Sequence, residues 1–133
     1  MISRTFTPRI LVVDDDLDTL GLIRMVLKRA GYDVTTASRW EEVTDRLEMS
    51  KEANTPFDLV ILDIMMPGHS GYDVFRAMEV VLRKMPPVIF LSAKNTVDAM
   101  VTASELGAAK YLTKPTTPEK LLDAVRNVLN RAR

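Results

Sequence analysis

The sequence contains no cysteine. Disulfides, thiolate nucleophiles and metal sites built on cysteine are therefore excluded. The chain also lacks an excess of charge of either sign, because 18 Lys and Arg residues are balanced by 18 Asp and Glu residues. Without a basic excess, nothing indicates direct binding to nucleic acid or to an anionic membrane surface. We therefore expect a protein or a small molecule as the partner.

Long hydrophobic runs are also missing. Near the N-terminus the longest apolar run is Ile10 to Val13, and three aspartates at positions 14 to 16 close it before it could act as a signal or membrane segment. By default this predicts a cytoplasmic location. The chain has 133 residues, of which 47% are hydrophobic and 27% charged, a balance typical of a soluble globular protein. We predict one domain over residues 1–133, with its core at about residues 9–129.

Short β-branched runs alternate with longer segments of helical period, the pattern of parallel strands joined by crossover helices. The runs predict five strands, at Ile10–Val13, Asp33–Ala37, Leu59–Leu62, Val88–Leu91 and Lys110–Leu112. Right-handed crossovers then favour an open, doubly wound parallel sheet of the α/β class. In such a sheet the functional residues lie at the carboxyl ends of the strands.

Five helices fit between and after these strands. The signals at their ends are Gly31 after the first, Ser38 and Glu41 in capping-box spacing before the second, Pro86 after the third, Gly107 after the fourth, and Thr117 with Pro118 before the fifth. The third helix is expected over about residues 72–83. The polar stretch at residues 49–56 predicts an exposed loop.

Three acids that are distant in the sequence follow predicted strands. Asp14 and Asp15 come directly after the first strand, and Asp63 after the third. In a sheet of order 2-1-3-4-5 these two strands are neighbours, so the acids should converge in one crevice. Converging carboxylates repel, so the site must raise a pKa or recruit a hard cation, and a small set of oxygen ligands suits Mg²⁺. Ser92 and Lys114, after the fourth and fifth strands, add a hydroxyl and an ammonium that complete an anion site.

Four segments, in this order and spacing, carry a resemblance to a known family: ILVVDDD, DLVILDIMMPGHSG, IFLSA and YLTKP. Over about residues 9–129 the chain resembles the receiver domain of two-component response regulators. The resemblance implies a flavodoxin-like receiver fold. It also implies that Asp63 accepts a phosphoryl group from the phosphohistidine of a histidine kinase or phosphotransfer protein. Such a protein is a signalling phosphoacceptor and not an enzyme, although it assists its own phosphorylation and autodephosphorylation.

The resemblance also implies how a Mg²⁺ cofactor would be held. Asp15, Asp63 and the main-chain carbonyl of Met65 would be direct ligands, and Asp14 would act mainly through a bound water. His69 departs from the pattern, because it stands in a loop position that is usually apolar in the family. Met65 and the residue at position 94 lie where similar receivers vary the rate at which the phosphoryl group is lost.

For the phosphorylated state, the resemblance implies that Ser92 and Lys114 contact the phosphoryl group, with Lys114 before a cis peptide bond to proline. Tyr111 would be the switch aromatic that responds to Ser92, although the residues alone fit an ordinary half-buried strand aromatic equally. The altered surface would comprise the fourth helix, fifth strand and fifth helix. That surface would serve a downstream protein or a fused output domain, and it could support a homodimer. A stand-alone receiver and a fragment of a longer regulator both fit the sequence.

Three other functions share part of this pattern. A flavin-binding protein of the same fold needs a phosphate loop rich in Ser, Thr or Gly, whereas DDDLD follows the first strand here and would repel a phosphate. A phosphatase with an aspartyl nucleophile needs a second acid two residues after it, where this chain has Met65. A receiver-like interaction module that is never phosphorylated stays open, although every acceptor position holds a competent residue.

Overall fold

The short apolar runs form the strands of a single parallel sheet in the computed structural model, which describes residues 7–132. The elements in chain order are β1 Arg9–Val13, α1 Leu17–Arg29, β2 Asp33–Ala37, α2 Trp40–Glu52, β3 Leu59–Leu62, α3 Gly71–Val81, β4 Val88–Ser92, α4 Val97–Leu106, β5 Lys110–Thr113 and α5 Pro118–Ala132. The strands lie in the order β2-β1-β3-β4-β5, which confirms the predicted topology. Within the described residues, none of the helices combines the length and apolar character that a bilayer crossing requires.

The core lies on both faces of the sheet because successive strand residues point to opposite sides. In β1, Leu11 and Val13 belong to a cluster shared with α2, α3 and α4. The alternate residues Ile10 and Val12 belong to a second cluster shared with α1 and α5. This two-sided burial explains why the central strands read as continuous apolar runs and not as alternating ones.

Two predicted helix ends are confirmed by their local geometry. Gly31 and Gly107 follow α1 and α4 with φ values of 96° and 101°, the left-handed conformation that glycine adopts without steric cost. At the start of α5, the Thr117 hydroxyl accepts the Lys120 N–H at 3.2 Å, as expected for a capping threonine before Pro118.

The predicted cap of α2 is wrong by one residue. The helix begins at Trp40, and its N-terminal flanking residue Arg39 makes no side-chain cap. Glu42, not Glu41, reaches back to accept hydrogen bonds from both the main-chain N–H and the hydroxyl of Ser38, each at 2.8 Å. Spacing of four residues therefore replaces the capping-box spacing of three, because the helix starts one residue later than the sequence pattern suggested.

The exposed loop predicted at residues 49–56 is only partly correct. The first four of these residues continue α2 to Glu52, because Leu47 and Ser50 are both buried and the Ser50 hydroxyl bonds to the Leu47 carbonyl at 3.1 Å. The helix gives way before Asn54, whose φ is 52°. The loop is thus limited to the residues between α2 and β3.

The third helix also differs from its predicted range. It spans Gly71–Val81, because Ser70 and Asp73 form a capping box at its start and Leu82 turns to an extended conformation at its end. The sequence contained the Ser70 and Asp73 pair in capping spacing, so this start was a readable signal that we missed. The early start of α3 matters for function, because it shortens the connection that follows β3.

Candidate functional site

The candidate site lies where β1, β3, β4 and β5 end. Asp14, Asp63 and Ser92 are 2%, 5% and 0% exposed, an unusual degree of burial for polar side chains. Their backbones continue the sheet ladder: the Asp63 N–H donates to the Val13 carbonyl at 2.9 Å and the Lys114 N–H to the Ser92 carbonyl at 2.8 Å. The strands therefore fix where each functional side chain starts.

The three acids named from the sequence come together. One carboxylate oxygen from each of Asp14, Asp15 and Asp63 lies within 4.8 Å of the others, with Asp15 on the exposed side. All of these donors are oxygens, and two come from buried side chains, which suits a hard divalent cation. The donor set therefore fits Mg²⁺.

Lys114 reaches from the end of β5 across the edge of the sheet to these acids. Its Nζ lies 2.6 Å from Asp14 Oδ2 and 3.1 Å from Asp63 Oδ2, and its side chain is 20% exposed. The peptide bond between Lys114 and Pro115 is cis, as the resemblance implied. Together, three carboxylates and one ammonium leave two negative charges, the amount that a single divalent ion neutralises.

The crowding of charges perturbs two of these groups. Burial is the main cause that raises the pKa of Asp14, and the charge of Asp63 adds to it, while hydrogen bonds from Lys114 and from the Asp16 main chain oppose the rise. For Lys114, burial alone would lower the pKa. Hydrogen bonds and charge attraction from Asp14 and Asp63 outweigh that effect and raise it. The ammonium is therefore held firmly in its charged form.

Ser92 and Tyr111 are connected through the start of the β4–α4 connection. The Ser92 hydroxyl accepts the Lys94 N–H at 3.2 Å, and the Tyr111 hydroxyl donates to the Lys94 carbonyl. Burial raises the pKa of Tyr111, and a hydrogen bond involving Ser92 acts against that rise. The ring of Tyr111 is half-buried against the core cluster on the side of α3 and α4.

The β3–α3 connection, residues 63–70, folds back closely onto the acceptor residue. Met65 N–H donates to Asp63 Oδ1 at 3.1 Å, and the Gly71 N–H donates to the Ile64 carbonyl at 2.9 Å. A Cβ atom on Gly71 would lie 2.4 Å from the Asp63 carbonyl oxygen, so only glycine fits there. Sequence reasoning missed this role of Gly71, since the contact depends on how sharply the chain returns.

The partner of His69 was equally hidden from the sequence. Its imidazole stacks on the indole of Trp40, the first residue of α2, with 4.1 Å between ring centroids and 10° between planes. A cleft of about 550 Å³ opens beside Asp15 and is lined also by Met65, Tyr72 and Lys94. The cleft gives the acidic cluster an approach from solvent next to the same connection.

Comparison with known proteins identifies one family that matches most of the chain. A model of the response regulator receiver domain matches residues 10–126. The alkaline phosphatase synthesis transcriptional regulatory protein PhoP of Bacillus subtilis is 37% identical over 124 residues, which cover 93% of this chain and 49% of that protein. The transcriptional regulatory protein CpxR of Escherichia coli K12 is 35% identical, with coverages of 93% and 50%. The chain thus spans about half the length of these curated relatives.

Solved structures agree with this match. A CheY-like response regulator receiver domain protein from Methanospirillum hungatei superposes with a TM-score of 0.83 at 27% identity, covering 96% of this chain and 97% of the other. A response regulator receiver domain protein from Clostridium thermocellum gives a TM-score of 0.78 at 35% identity, with coverages of 93% and 95%. The likeness in fold therefore extends over nearly the whole chain.

Proposed function

The chain belongs to the response regulator receiver domains of two-component systems, and from this premise we propose that Asp63 accepts a phosphoryl group and thereby switches a protein-binding surface. The observation that carries the proposal is the position of the Lys114 ammonium between the buried carboxylates of Asp14 and Asp63. A phosphoryl group on Asp63 would arrive beside a cation already at hydrogen-bond distance. Residues 9–129 would form the one domain that does this.

We assign the metal site to Asp15, Asp63 and the main-chain carbonyl of Met65, with Asp14 acting through a water. The close approach of the three carboxylates supports this assignment. Bound Mg²⁺ would supply positive charge that offsets the repulsion between the acids and the phosphoryl oxygens. The chain's own contribution is to hold the acids together, because each one is fixed at the end of a strand or directly after it.

In the transfer, Asp63 acts as the nucleophile and a phosphorylated histidine on the donor protein supplies the phosphoryl group. A carboxylate oxygen of Asp63 forms a bond to phosphorus while the bond from phosphorus to the imidazole nitrogen of the donor breaks. The donor histidine leaves as an imidazole that takes up a proton from water, and Asp63 becomes an acyl phosphate. Lys114 then pairs with a phosphoryl oxygen. In autodephosphorylation the oxygen of a water attacks phosphorus, the bond from phosphorus to the Asp63 oxygen breaks, and inorganic phosphate leaves while the Asp63 carboxylate is restored.

Ser92 would respond to phosphorylation of Asp63. Its hydroxyl already accepts the Lys94 N–H, which leaves its own hydrogen to donate to a phosphoryl oxygen. Movement of Ser92 and Lys94 towards the phosphoryl group would shift the Lys94 carbonyl, to which the Tyr111 hydroxyl donates its hydrogen bond. Tyr111 on β5 would thereby transmit the event to the surface of α4, β5 and α5.

That surface suits a protein partner. On α4, Val97, Met100 and Val101 are large apolar side chains exposed to solvent, the kind of residue that contacts another protein. We propose a histidine kinase or phosphotransfer protein as the donor. The signal would pass to a downstream protein or to a fused output domain. The same surface would also support a homodimer, and the protein would act in the cytoplasm.

The test uses acetyl phosphate as a small phosphodonor. Intact-mass spectrometry should show one added phosphoryl group in the presence of Mg²⁺, and none with excess EDTA. Asp63→Asn should abolish the addition, whereas Asp98→Asn, which changes an exposed aspartate in the first turn of α4, should leave it unchanged. If Asp63→Asn still takes up a phosphoryl group, Asp63 is not the phosphoacceptor. If the wild-type chain takes up none, the alternative of an interaction module that is never phosphorylated is favoured.

A further inference from the structure

An aromatic stack joins the β3–α3 connection to α2. The exposed His69 lies flat on Trp40, and Trp40 itself is half-buried and packs against the core cluster that α2 and α3 share. His69, at the tip of the connection, therefore packs on a ring that is itself anchored in the core. The tip has little other side-chain support, because Pro67 and Gly68 are exposed and Gly68 has a φ of 82°.

The other contacts of this connection act near its ends. At its far end the capping box of Ser70 and Asp73 ties it to α3, with bonds of 2.9 and 3.3 Å. At its near end the Met65 N–H bonds to Asp63 Oδ1 at 3.1 Å. Met66 packs against the core. The Gly71 N–H also ties the two ends together by its bond to the Ile64 carbonyl at 2.9 Å. The ring stack is the described side-chain contact of the exposed tip between these anchors.

We infer that the Trp40 and His69 stack positions the Met65 main chain for metal binding. This inference rests on the proposed function, because the Met65 carbonyl is a metal ligand only there. His69 stands four positions after Met65. An aromatic pair shifts a conformational equilibrium by about two- to tenfold. Loss of the stack should therefore raise, by about that factor, the ratio of other conformations of the connection to the metal-binding one. His69 is thus a positioning residue that touches neither the metal nor the phosphoryl group.

The first experiment compares His69→Ala with His69→Phe in metal-free protein. Phenylalanine keeps a flat ring for stacking and removes both imidazole nitrogens, so it is the matched control. Hydrogen exchange measured on the peptide covering residues 64–70 should be about two- to tenfold faster in His69→Ala and close to wild type in His69→Phe. Exchange in α5 should be unchanged in both variants, which separates a local effect from general destabilisation.

The second experiment measures Mg²⁺ affinity by calorimetric titration of the same proteins. His69→Ala should bind Mg²⁺ more weakly, by at most about the same two- to tenfold factor, because affinity scales with the fraction of molecules in the metal-binding conformation. His69→Phe should keep wild-type affinity. If His69→Phe behaves like His69→Ala in both measurements, the imidazole nitrogens and not the stack are responsible, and the inference is wrong.

A double-mutant cycle tests whether the two rings act together. Trp40→Leu keeps apolar contact with the core but removes the flat ring. In that background, His69→Ala should have no further effect on loop exchange or on Mg²⁺ affinity, because the stack is already lost. Independent, additive effects of the two substitutions would contradict the inference.

Different results would overturn the role of the stack and the proposed function. A wild-type chain that binds Mg²⁺ and takes up a phosphoryl group, together with an unaffected His69→Ala, would overturn the role of the stack and leave the proposed function standing. A wild-type chain that binds no Mg²⁺ would overturn the proposed function and the inference with it.

Discussion

Replacing Lys114 by methionine keeps most of the aliphatic stem and removes the ammonium that lies between Asp14 and Asp63. Two buried carboxylates would then face each other without a compensating charge. One oxygen of each carboxylate lies within 4.8 Å of the other, and unit charges at that distance repel by about 3.5 kcal/mol at an effective dielectric constant of about 20. The loss of one partner from a buried ion pair typically costs about 3–5 kcal/mol.

Water reduces this penalty, because the Lys114 side chain is 20% exposed and Asp15 opens the cluster to solvent. We therefore expect Lys114→Met to lower the free energy of unfolding by about 2–3 kcal/mol in EDTA, below the full range for a buried pair. Mg²⁺ should largely remove the difference. The variant cluster carries one more negative charge than the wild type, so it should bind the cation more tightly and gain more folding free energy from it.

Urea unfolding in EDTA and in saturating Mg²⁺ measures both effects. Lys120→Met is the control, because Lys120 lies exposed in the first turns of α5 and makes no described ion pair. Its stability should match the wild type in both buffers. A deficit in Lys114→Met that is the same with and without Mg²⁺ would show that the loss of the ammonium does not strengthen cation binding, contrary to this reasoning. An absent deficit would show that the ammonium does not compensate the acids.

Two further predictions concern other parts of the structure. Gly71→Ala should lower the free energy of unfolding by about 1–3 kcal/mol and slow phosphoryl uptake, because the new Cβ would lie 2.4 Å from the Asp63 carbonyl oxygen. The control is Gly21→Ala in α1, where a Cβ would have no atom within 4 Å. This variant should raise the free energy of unfolding by about 0.5–1 kcal/mol in the same urea titrations. Hydrogen bonds from the Ser38 main chain and hydroxyl lower the pKa of Glu42. A lowered carboxyl pKa gives stability that is present above the ordinary value near about 4.3 and is lost as the pH falls through the folded-state pKa. Glu42→Ala should therefore cost about 1 kcal/mol at neutral pH and much less in strong acid, and a cost that is independent of pH would contradict this role.

The sheet was readable from the sequence because its signals are local. Each strand is a short run rich in apolar or β-branched residues, and the predicted ends agree with the structure to within one residue. For example, β4 extends one residue further, to Ser92. Strand order then places Asp14 and Asp63 side by side without further information, since both follow neighbouring strands. A site built at the ends of parallel strands is thus among the easiest to infer from a sequence.

The contacts that the sequence did not predict depend on the residue at which a helix begins and on the path of a loop in space. Glu42 caps Ser38 in place of Glu41 because α2 starts at Trp40, and one residue of helix phase changes which side chain points back. The stack of Trp40 on His69 joins elements that are far apart in the sequence, and no periodicity in either segment indicates the other. Such contacts are set by three-dimensional packing and leave no pattern along the chain.

The same geometry explains how a charge change at Asp63 could reach a distant surface. Lys114 and Ser92 are joined by a main-chain hydrogen bond of 2.8 Å. In the proposed switch, the pull of a new anion on either side chain would therefore act on the ends of both β4 and β5. Tyr111 lies three residues before Lys114 on β5 and bonds to the carbonyl of Lys94, two residues after Ser92. In the proposed switch, a movement of the β4–α4 connection would therefore change the hydrogen-bond partner of Tyr111 directly. No long chain of intermediate contacts would be needed between the acids and the face formed by α4 and β5.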